Sequence, residues 1–257
     1  MAGPNILNKL RRASEDRYNS SAGRLDGGAG TADNYGRILT TPTWLAIPYD
    51  EFALNPENNA PIHEKATGQI DPLYIFSTEQ NFRGSLGVEL FPDALTTLLS
   101  MCGIVTAVGA PARAPGDTQL QSFTIDHFDA AMNETRTHSG VCVDTFRFEA
   151  SGGSPVAKLT MDLIAQDEIG SAGDSIGSIT IPTKASYLLS DATFFVSGET
   201  DPGDIEPNVE GFRIEGRNNL RVGGKRNANL TVRYLDPGAR EIDLSFDLRT
   251  DPGTWIE

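Results

Sequence analysis

The three histidines of this chain, His63, His127 and His138, are the first residues to consider for chemistry. None of them stands at a metal-ligand spacing from a cysteine or from another histidine. His127 lies in Asp126-His127-Phe128-Asp129, where carboxylates could tune its pKa, but a surface histidine at a loop or strand end is the simpler interpretation. The one Gly-x-Ser-x-Gly match, Gly173-Asp174-Ser175-Ile176-Gly177, is not followed by a predicted helix, as the nucleophile elbow of a hydrolase would require. We therefore assign the histidines neither a metal nor a catalytic role.

Glycine-rich segments and loop acids also fail to form a chemical motif. Gly27-Gly28-Ala29-Gly30 lacks a following Lys-Ser/Thr and a clear preceding strand, as a phosphate-binding loop would require. Gly223-Gly224-Lys225-Arg226 is better interpreted as the tip of a basic hairpin. Asp174 and Asp204 lie in glycine-rich loops without the spaced acidic register of a calcium loop. The sequence predicts no catalytic, cofactor-binding or metal-binding residue, and we expect the protein not to be an enzyme.

Composition limits the partners of the chain. Its 257 residues suffice for one large β-domain or two small ones, and its formal net charge is −14. This excess of acids argues against tight binding of DNA or RNA, which requires a Lys/Arg surface to replace counterions. The 26 glycines and 15 prolines favour many turns and little helix.

Cysteines and hydropathy indicate where the chain is made. Cys102 and Cys142 are expected to be buried free thiols in a reducing compartment. No stretch approaches the roughly 20 apolar residues of a membrane helix. After Met1 the chain lacks the basic cluster and apolar run of a signal peptide. We therefore expect synthesis in the cytoplasm and no membrane partner.

Two segments of the chain repeat one short phrase. Val143-Asp144-Thr145-Phe146-Arg147-Phe148-Glu149 and Val209-Glu210-Gly211-Phe212-Arg213-Ile214-Glu215 both fit Val-acid-x-Phe-Arg-apolar-Glu. A second matching pair, Met161-Asp162-Leu163 and Phe246-Asp247-Leu248, follows in the same order. Self-similarity of this kind predicts an internal duplication, with a chance resemblance between two amphipathic strands as the alternative.

Alternating apolar residues predict strands over most of the chain after residue 120, and one polar face opposite one apolar face is typical of antiparallel sheets. One helix is expected after Pro92-Asp93, ending at Gly103. We predict a mainly β fold, a sandwich or barrel with one short α-helix. The residues expected to face the core are Leu86, Val88 and Leu90; Leu95, Leu98, Leu99 and Cys102 on the helix; Phe146, Phe148 and Ala150; Leu159, Met161, Leu163 and Ala165; Phe212 and Ile214; and Ile242, Leu244, Phe246 and Leu248.

The predicted organisation is an arm followed by one β-domain. Residues 1–37 form the arm, which is rich in Ser, Gly and Ala and carries no expected core beyond one possible helical turn, so the subunit should fold without it. Residues 38–257 form the β-domain, with duplicated units at about 120–170 and 190–257. Within this domain the polar stretch Asn55 to Ile70 is expected to be a long functional loop.

Two surface features suggest assembly. An open antiparallel sheet must block or pair its edges, and pairing with a copy of itself builds a ring. The polar strand faces are acidic, which would repel a polyanion if such a face lined a shared space between subunits, although simple solvation is the default. The acids concerned are Glu149, Asp162, Glu215, Glu241, Asp243 and Asp247.

The order of these features resembles the tail tube proteins (major tail proteins) of long-tailed bacteriophages. The resemblance covers roughly residues 38–250 and rests on an ordered set of segments rather than on one diagnostic motif. Those segments are Gly84–Leu90 followed by Pro92-Asp93-Ala94-Leu95, Leu98-Leu99 and Gly103; Phe123-Thr124-Ile125-Asp126; Gly140–Phe148; and Lys158–Leu163.

The resemblance implies a structural virion protein. Its subunits would form homohexameric rings whose inner sheets join into one barrel, and the rings would stack into a tube that carries DNA during ejection without binding it specifically. Other implied partners are the tape measure, terminator and tail-tip proteins. The resemblance also assigns the arm and Asn55–Ile70 to ring stacking. Assembly would take place in the host cytoplasm.

Two other functions remain alternatives. A ring-forming tail terminator, neck or tail-tip protein would share the architecture without polymerising. A soluble β-sandwich binding module, for instance for a sugar, would need displayed aromatic residues, and Trp44 and Trp255 lie in apolar or terminal contexts.

Overall fold

A computed structural model of the chain describes residues 9–14, 44–59, 62–63, 74–75, 79–104, 120, 122–177, 184–192, 209–225, 232–236 and 238–248. Within them lie fourteen strands, one α-helix and a 3₁₀ turn at Leu189–Asp191. The strands are β1 (Lys9–Ser14), β2 (Leu45–Ala46), β3 (Glu51–Asn59), β4 (Ile62–His63), β5 (Tyr74–Ile75), β6 (Glu79–Glu89), β7 (Phe123–Asp129), β8 (Glu134–Ser151), β9 (Ser154–Ala165), β10 (Asp167–Ala172), β11 (Val209–Arg217), β12 (Arg221–Lys225), β13 (Val232–Asp236) and β14 (Glu241–Leu248); the helix is α1 (Leu95–Met101). The predicted mainly β fold with one short α-helix is confirmed.

The long strand β8 joins two wings of a ten-stranded antiparallel sheet. Its first half pairs with β7 and β10, and β7 continues to β1 and β2. Its second half lies between β9 and β11 in the order β3-β6-β9-β8-β11-β14. We call these the first wing and the second wing.

One hydrophobic cluster packs against both wings. It contains Leu10 and Ile125 from the first wing, and Leu86, Phe146 and Met161 from the second, all of them almost inaccessible to solvent. These side chains come from alternate positions of their strands, so one face of each strand lies against the core. The buried positions predicted on β6, β8 and β9 are confirmed, except that Phe148 is only partly buried where it packs against the cluster.

Helix α1 begins and ends as its sequence predicts. Leu98 and Met101 are buried on one side of it, and Cys102 follows in the same cluster. Gly103 adopts a φ of +73°, the left-handed conformation that commonly ends helices. Cys102 and Cys142 are both buried free thiols, as expected.

The N-terminal arm contributes a strand to the body, although its composition predicted none. β1 pairs along β7, with Leu10 fully buried opposite His127. Arg11 donates two hydrogen bonds to the carboxylate of Asp126, at 2.8 and 2.7 Å, and its guanidinium lies 4.1 Å from the ring centroid of Trp44. The expectations of a helical turn around Leu10 and of an arm without core residues are therefore wrong for residues 9–14. The division at residue 37 stays a prediction.

The first part of the expected Asn55–Ile70 loop is also strand. Asn55 to Asn59 continue β3, which pairs only with β6 among the described residues. Pro56 lacks a backbone donor, yet an edge strand tolerates proline because one side of its backbone needs no partner from the sheet. Composition suggested a loop here, but an edge strand accommodates the same residues.

The two copies of the repeated phrase lie side by side in the second wing. β8 and β11 pair antiparallel, with Phe148 directly opposite Ile214. On the outer sides, Met161 lies opposite Phe146 and Phe246 lies opposite Phe212. Each residue of one copy therefore has a neighbour of the same kind as its counterpart in the other copy. The two copies are related by a local two-fold rotation. The common origin of the two halves remains a prediction.

Candidate assembly surface

Strand β14 forms one end of the second wing. It pairs with β11 from Arg217 opposite Glu241 to Val209 opposite Leu248, and with no other strand in the described parts of the chain. Every residue of β14 is exposed. An edge strand of eight residues with a free side offers backbone groups to another strand.

The core-facing side of this edge strand is apolar and largely exposed. Ile242, Leu244, Phe246 and Leu248 are 58%, 57%, 43% and 57% exposed. We call these four residues the apolar row. The prediction that they are buried is wrong for the single subunit. The hydrophobic cluster reaches only as far as Phe212 and Ile214 on β11 and includes no residue of β14. The apolar side of the sheet therefore extends one strand further than the cluster that packs against it.

The other side of the same strands is charged. We call it the polar face and define it on β9, β8, β11 and β14. All six acids singled out in the sequence lie on this one face, together with four basic residues and three neutral ones. Its members are Lys158, Thr160 and Asp162; Thr145, Arg147 and Glu149; Arg213, Glu215 and Arg217; and Glu241, Asp243, Ser245 and Asp247.

Ion pairs cross the polar face between the two repeated phrases. Nη2 of Arg147 donates to Oε1 of Glu215 at 2.8 Å, and Nε of Arg213 donates to Oε2 of Glu149 at 3.2 Å. The hydrogen bond from Arg147 lowers the pKa of Glu215, and the same bond raises the pKa of Arg147. The carboxylate of Glu215 is thus held in its charged form beside an arginine.

Arg240 anchors the start of β14 to the interior. Its guanidinium donates to the carbonyls of Cys102 and Gly103 at 2.7 and 2.8 Å, and to Oδ1 of Asn218 at 2.9 Å. Asn218 is fully buried and donates in turn to the carbonyl of Val143 on β8 at 2.9 Å. The carbonyls at the end of α1 have no partner within the helix, so Arg240 satisfies them while fixing where the edge strand begins.

The structure places two of the three histidines near each other between the wings. His127 is half-buried on β7 and its Nε2 lies 3.1 Å from the Tyr49 hydroxyl, so the prediction of a surface position is wrong. His138 is buried on β8, with Nδ1 3.5 Å from Oε2 of Glu168, and neither atom has a hydrogen-bond partner among the described residues. Burial lowers the pKa of His138 to about 3 and raises the pKa of Glu168.

These shifts predict an acid-sensitive fold. A histidine of ordinary pKa 6.5 that takes up a proton only near pH 3 when folded contributes stability that is present above pH 6.5 and lost as the pH falls. Between those values the free energy of unfolding should fall by up to about 1.4 kcal/mol per pH unit. Glu168 acts in the opposite sense, since its raised pKa contributes stability that is lost as the pH rises. Glu168 changes stability only above its ordinary pKa of 4.5, where it opposes the histidine, so the histidine acts unopposed from about pH 4.5 down to about pH 3.

The His138→Gln variant should therefore lose less stability than the wild type between about pH 6.5 and 4.5. Urea denaturation at a series of pH values measures this slope. His127→Gln is the comparison, because His127 is less buried and should change the slope less. An unchanged slope in His138→Gln would contradict the assignment of the acid sensitivity to this residue.

The other positions considered from sequence carry structural contacts. Oδ1 of Asp174 accepts hydrogen bonds from the backbone of Ile176 and Gly177, and Lys9 donates to its carboxylate. Gly223 to Lys225 belong to β12 rather than to a hairpin tip. Gly27–Gly30, Asp204 and Trp255 lie outside the described residues. In the described part of the chain, no three His, Cys, Asp or Glu side chains are grouped as metal ligands would be. No helix there is long and apolar enough to span a bilayer.

Fold and surface together define a strand-rich protein whose main surface feature is an open sheet edge with an apolar side. A sequence model of the family described as phage tail tube protein matches residues 28–257. The chain belongs to this family, which confirms the resemblance noted in its sequence. It is a structural protein of the phage tail, from a family that is not one of enzymes.

Other comparisons add little. A search of curated proteins finds no match to this chain. Among solved structures, a chain of the anti-feeding prophage (AFP) baseplate, determined by cryo-EM and 6-fold symmetrised, is similar at 14% sequence identity. The match covers 67% of this chain and 98% of that chain with a TM-score of 0.36, too low to support any statement about function.

Proposed function

We propose that this protein self-assembles into rings that stack to form the tail tube, the conduit through which phage DNA is ejected. The observation that carries the proposal is the apolar row on β14. Four large apolar side chains in sequence alternation on a free strand edge form a surface that monomeric proteins rarely leave uncovered. A second copy of the chain covers them in the ring.

The strand order supports head-to-tail joining of β14 to β3 of the next copy. The second wing has β3 at one end and β14 at the other, and its strands alternate in direction. These two end strands therefore run in opposite directions. Rotation about a ring axis preserves the sense of each strand along that axis, so β3 of the next copy would meet β14 antiparallel.

Joining of β14 to β3 would also determine which side of the sheet faces the core and which side faces the bore. The apolar row would continue the core side of the next copy, where Leu54 of β3 is buried. The polar face, with its six acids and four basic residues, would line the bore. An excess of negative charge there repels DNA and keeps it from adhering to the wall. Rings of six, and contacts with tape measure, terminator and tail-tip proteins, are what the family suggests for this chain.

We assign ring stacking to residues 1–37 and Asn55–Ile70, as the resemblance implies. Most of residues 1–37, and the part of Asn55–Ile70 beyond β3 except Ile62–His63, lie outside the described residues. Within the arm, β1 is part of the body.

Purified protein examined by negative-stain electron microscopy and sedimentation velocity tests the proposal. Long hollow rods are expected. Isolated rings would favour a terminator or neck protein, and a monomer at all concentrations would contradict assembly. To test the joint, Ser245→Cys and Ala53→Cys can be combined and treated with a short bis-maleimide, because both residues lie on the polar side of the end strands. A ladder of covalent oligomers is expected from the double variant and not from either single variant.

A further inference from the structure

The repeated phrase produces a reciprocal pattern of charge on the polar face. Because the two copies of Phe-Arg-x-Glu run antiparallel in register, the arginine of each copy lies directly opposite the glutamate of the other. Arg147 therefore pairs with Glu215, and Arg213 pairs with Glu149. Parallel strands or a shifted register would have separated these partners.

The pattern extends to the other basic residues of this face. Lys158 lies directly between Glu149 on β8 and Glu89 on β6. Arg217 lies directly opposite Glu241 on β14. Each of the four basic residues on the polar face thus has a carboxylate immediately across the sheet. The acids Asp243 and Asp247 differ, because the residues opposite them on β11 are Glu215 and Gly211.

Stability does not account for this arrangement. The side chains of Arg147 and Arg213 are 44% and 48% exposed, and ion pairs that water reaches so freely contribute little to folding. An exposed arginine is, however, the side chain best suited to hold a phosphate group, since its planar donors match two phosphate oxygens. A glutamate in register takes up one of those donors and offsets the charge of the arginine.

We propose that Glu149 and Glu215 shield Arg147 and Arg213 from polyanions, so that nucleic acid slides past this face without being held. The inference rests on the proposed function in one respect, that the polar face lines the bore. The two glutamates would exclude nucleic acid because they remove the counterion-releasing contacts that phosphates would otherwise make with the two arginines.

The double variant Glu149→Gln/Glu215→Gln tests the proposal on the unassembled subunit. Gln keeps the shape of the side chain and removes only the charge. Binding is measured by fluorescence anisotropy with a short labelled DNA duplex at low salt, after far-UV circular dichroism shows the wild-type fold. The double variant should bind at least about tenfold more tightly than the wild type, and the gain should disappear as salt is raised.

Asp243→Asn/Asp247→Asn is the matched control. It removes the same charge from the same face but exposes no basic residue, so no comparable gain is expected. The proposal is overturned if the Gln variant binds no more tightly than the wild type, or if the control gains as much. Because the assay needs no tube, a wild type that fails to assemble would refute the proposed function and leave the shielding result to stand separately.

Discussion

Replacing Leu244 with Asp is expected to abolish tube formation while leaving the subunit folded. Leu244 lies at the centre of the apolar row and is 57% exposed, so an aspartate there is solvated in the free subunit. In the ring the same carboxylate would be buried against the neighbouring copy without a partner, at a cost of several kcal/mol. Since every joint of the ring carries the change, we expect assembly to fall below detection by electron microscopy and sedimentation velocity.

Ser245→Asp is the control for this experiment. Ser245 is the next residue of β14 but lies on the polar face, opposite Arg213. An aspartate there adds the same charge to the same strand without entering the joint, and tubes should still form. Tubes of normal length from Leu244→Asp would show that the apolar row is not the contact between copies.

Replacing Phe146 with Ala is expected to lower the free energy of unfolding by about 3–5 kcal/mol. Phe146 is 1% exposed, and its ring lies over Gly216 of the neighbouring strand. Removal of the ring leaves a cavity between β8 and β11. Chemical denaturation of the unassembled subunit gives the measurement. Phe246 lies opposite Phe212, the counterpart of Phe146 in the second copy of the repeated phrase, but it is 43% exposed. Phe246→Ala should therefore lower the free energy of unfolding by only about 1 kcal/mol or less.

Gly216 provides a second arm of the same test. A Cβ at this position would come within 2.0 Å of the Phe146 ring, so Gly216→Ala alone should destabilise the subunit by about 1–3 kcal/mol. In the Phe146→Ala background that cost should vanish, because the clashing ring is gone. Additive losses in the double variant would mean that the packing of Phe146 on Gly216 is wrong.

The alternation of apolar residues predicted the strands of the second wing well, but not what covers them. Phe146 and Met161 are buried by their own chain, whereas Leu244 follows the same pattern and is exposed. The alternation of apolar and polar residues along a strand predicts that one face of the strand is covered in the functional state. It carries no information on whether the cover belongs to the same chain, so the candidate assembly surface emerged only from the structure.

Other differences between the predictions from the sequence and the structure arose where composition did not indicate strand pairing. β1 lies in a segment with few apolar residues, yet a single buried Leu10 and the Arg11–Asp126 ion pair suffice beside the ladder with β7. The repeated phrase predicted two related units, but its reciprocal ion pairs depend on antiparallel register. Arg240 had no sequence signal, because its partners at Gly103 and Asn218 are distant along the chain.

The attachment of Arg240 has a mechanical consequence for a subunit whose edge strand is pulled. A force applied to β14 would be transmitted to the rest of the subunit along two routes. One is the set of hydrogen bonds with β11, and the other is the guanidinium of Arg240, which binds the end of α1 and Asn218. The second route leads directly into the most deeply packed part of the molecule. Peeling β14 away from a subunit of the tube would therefore require both routes to break.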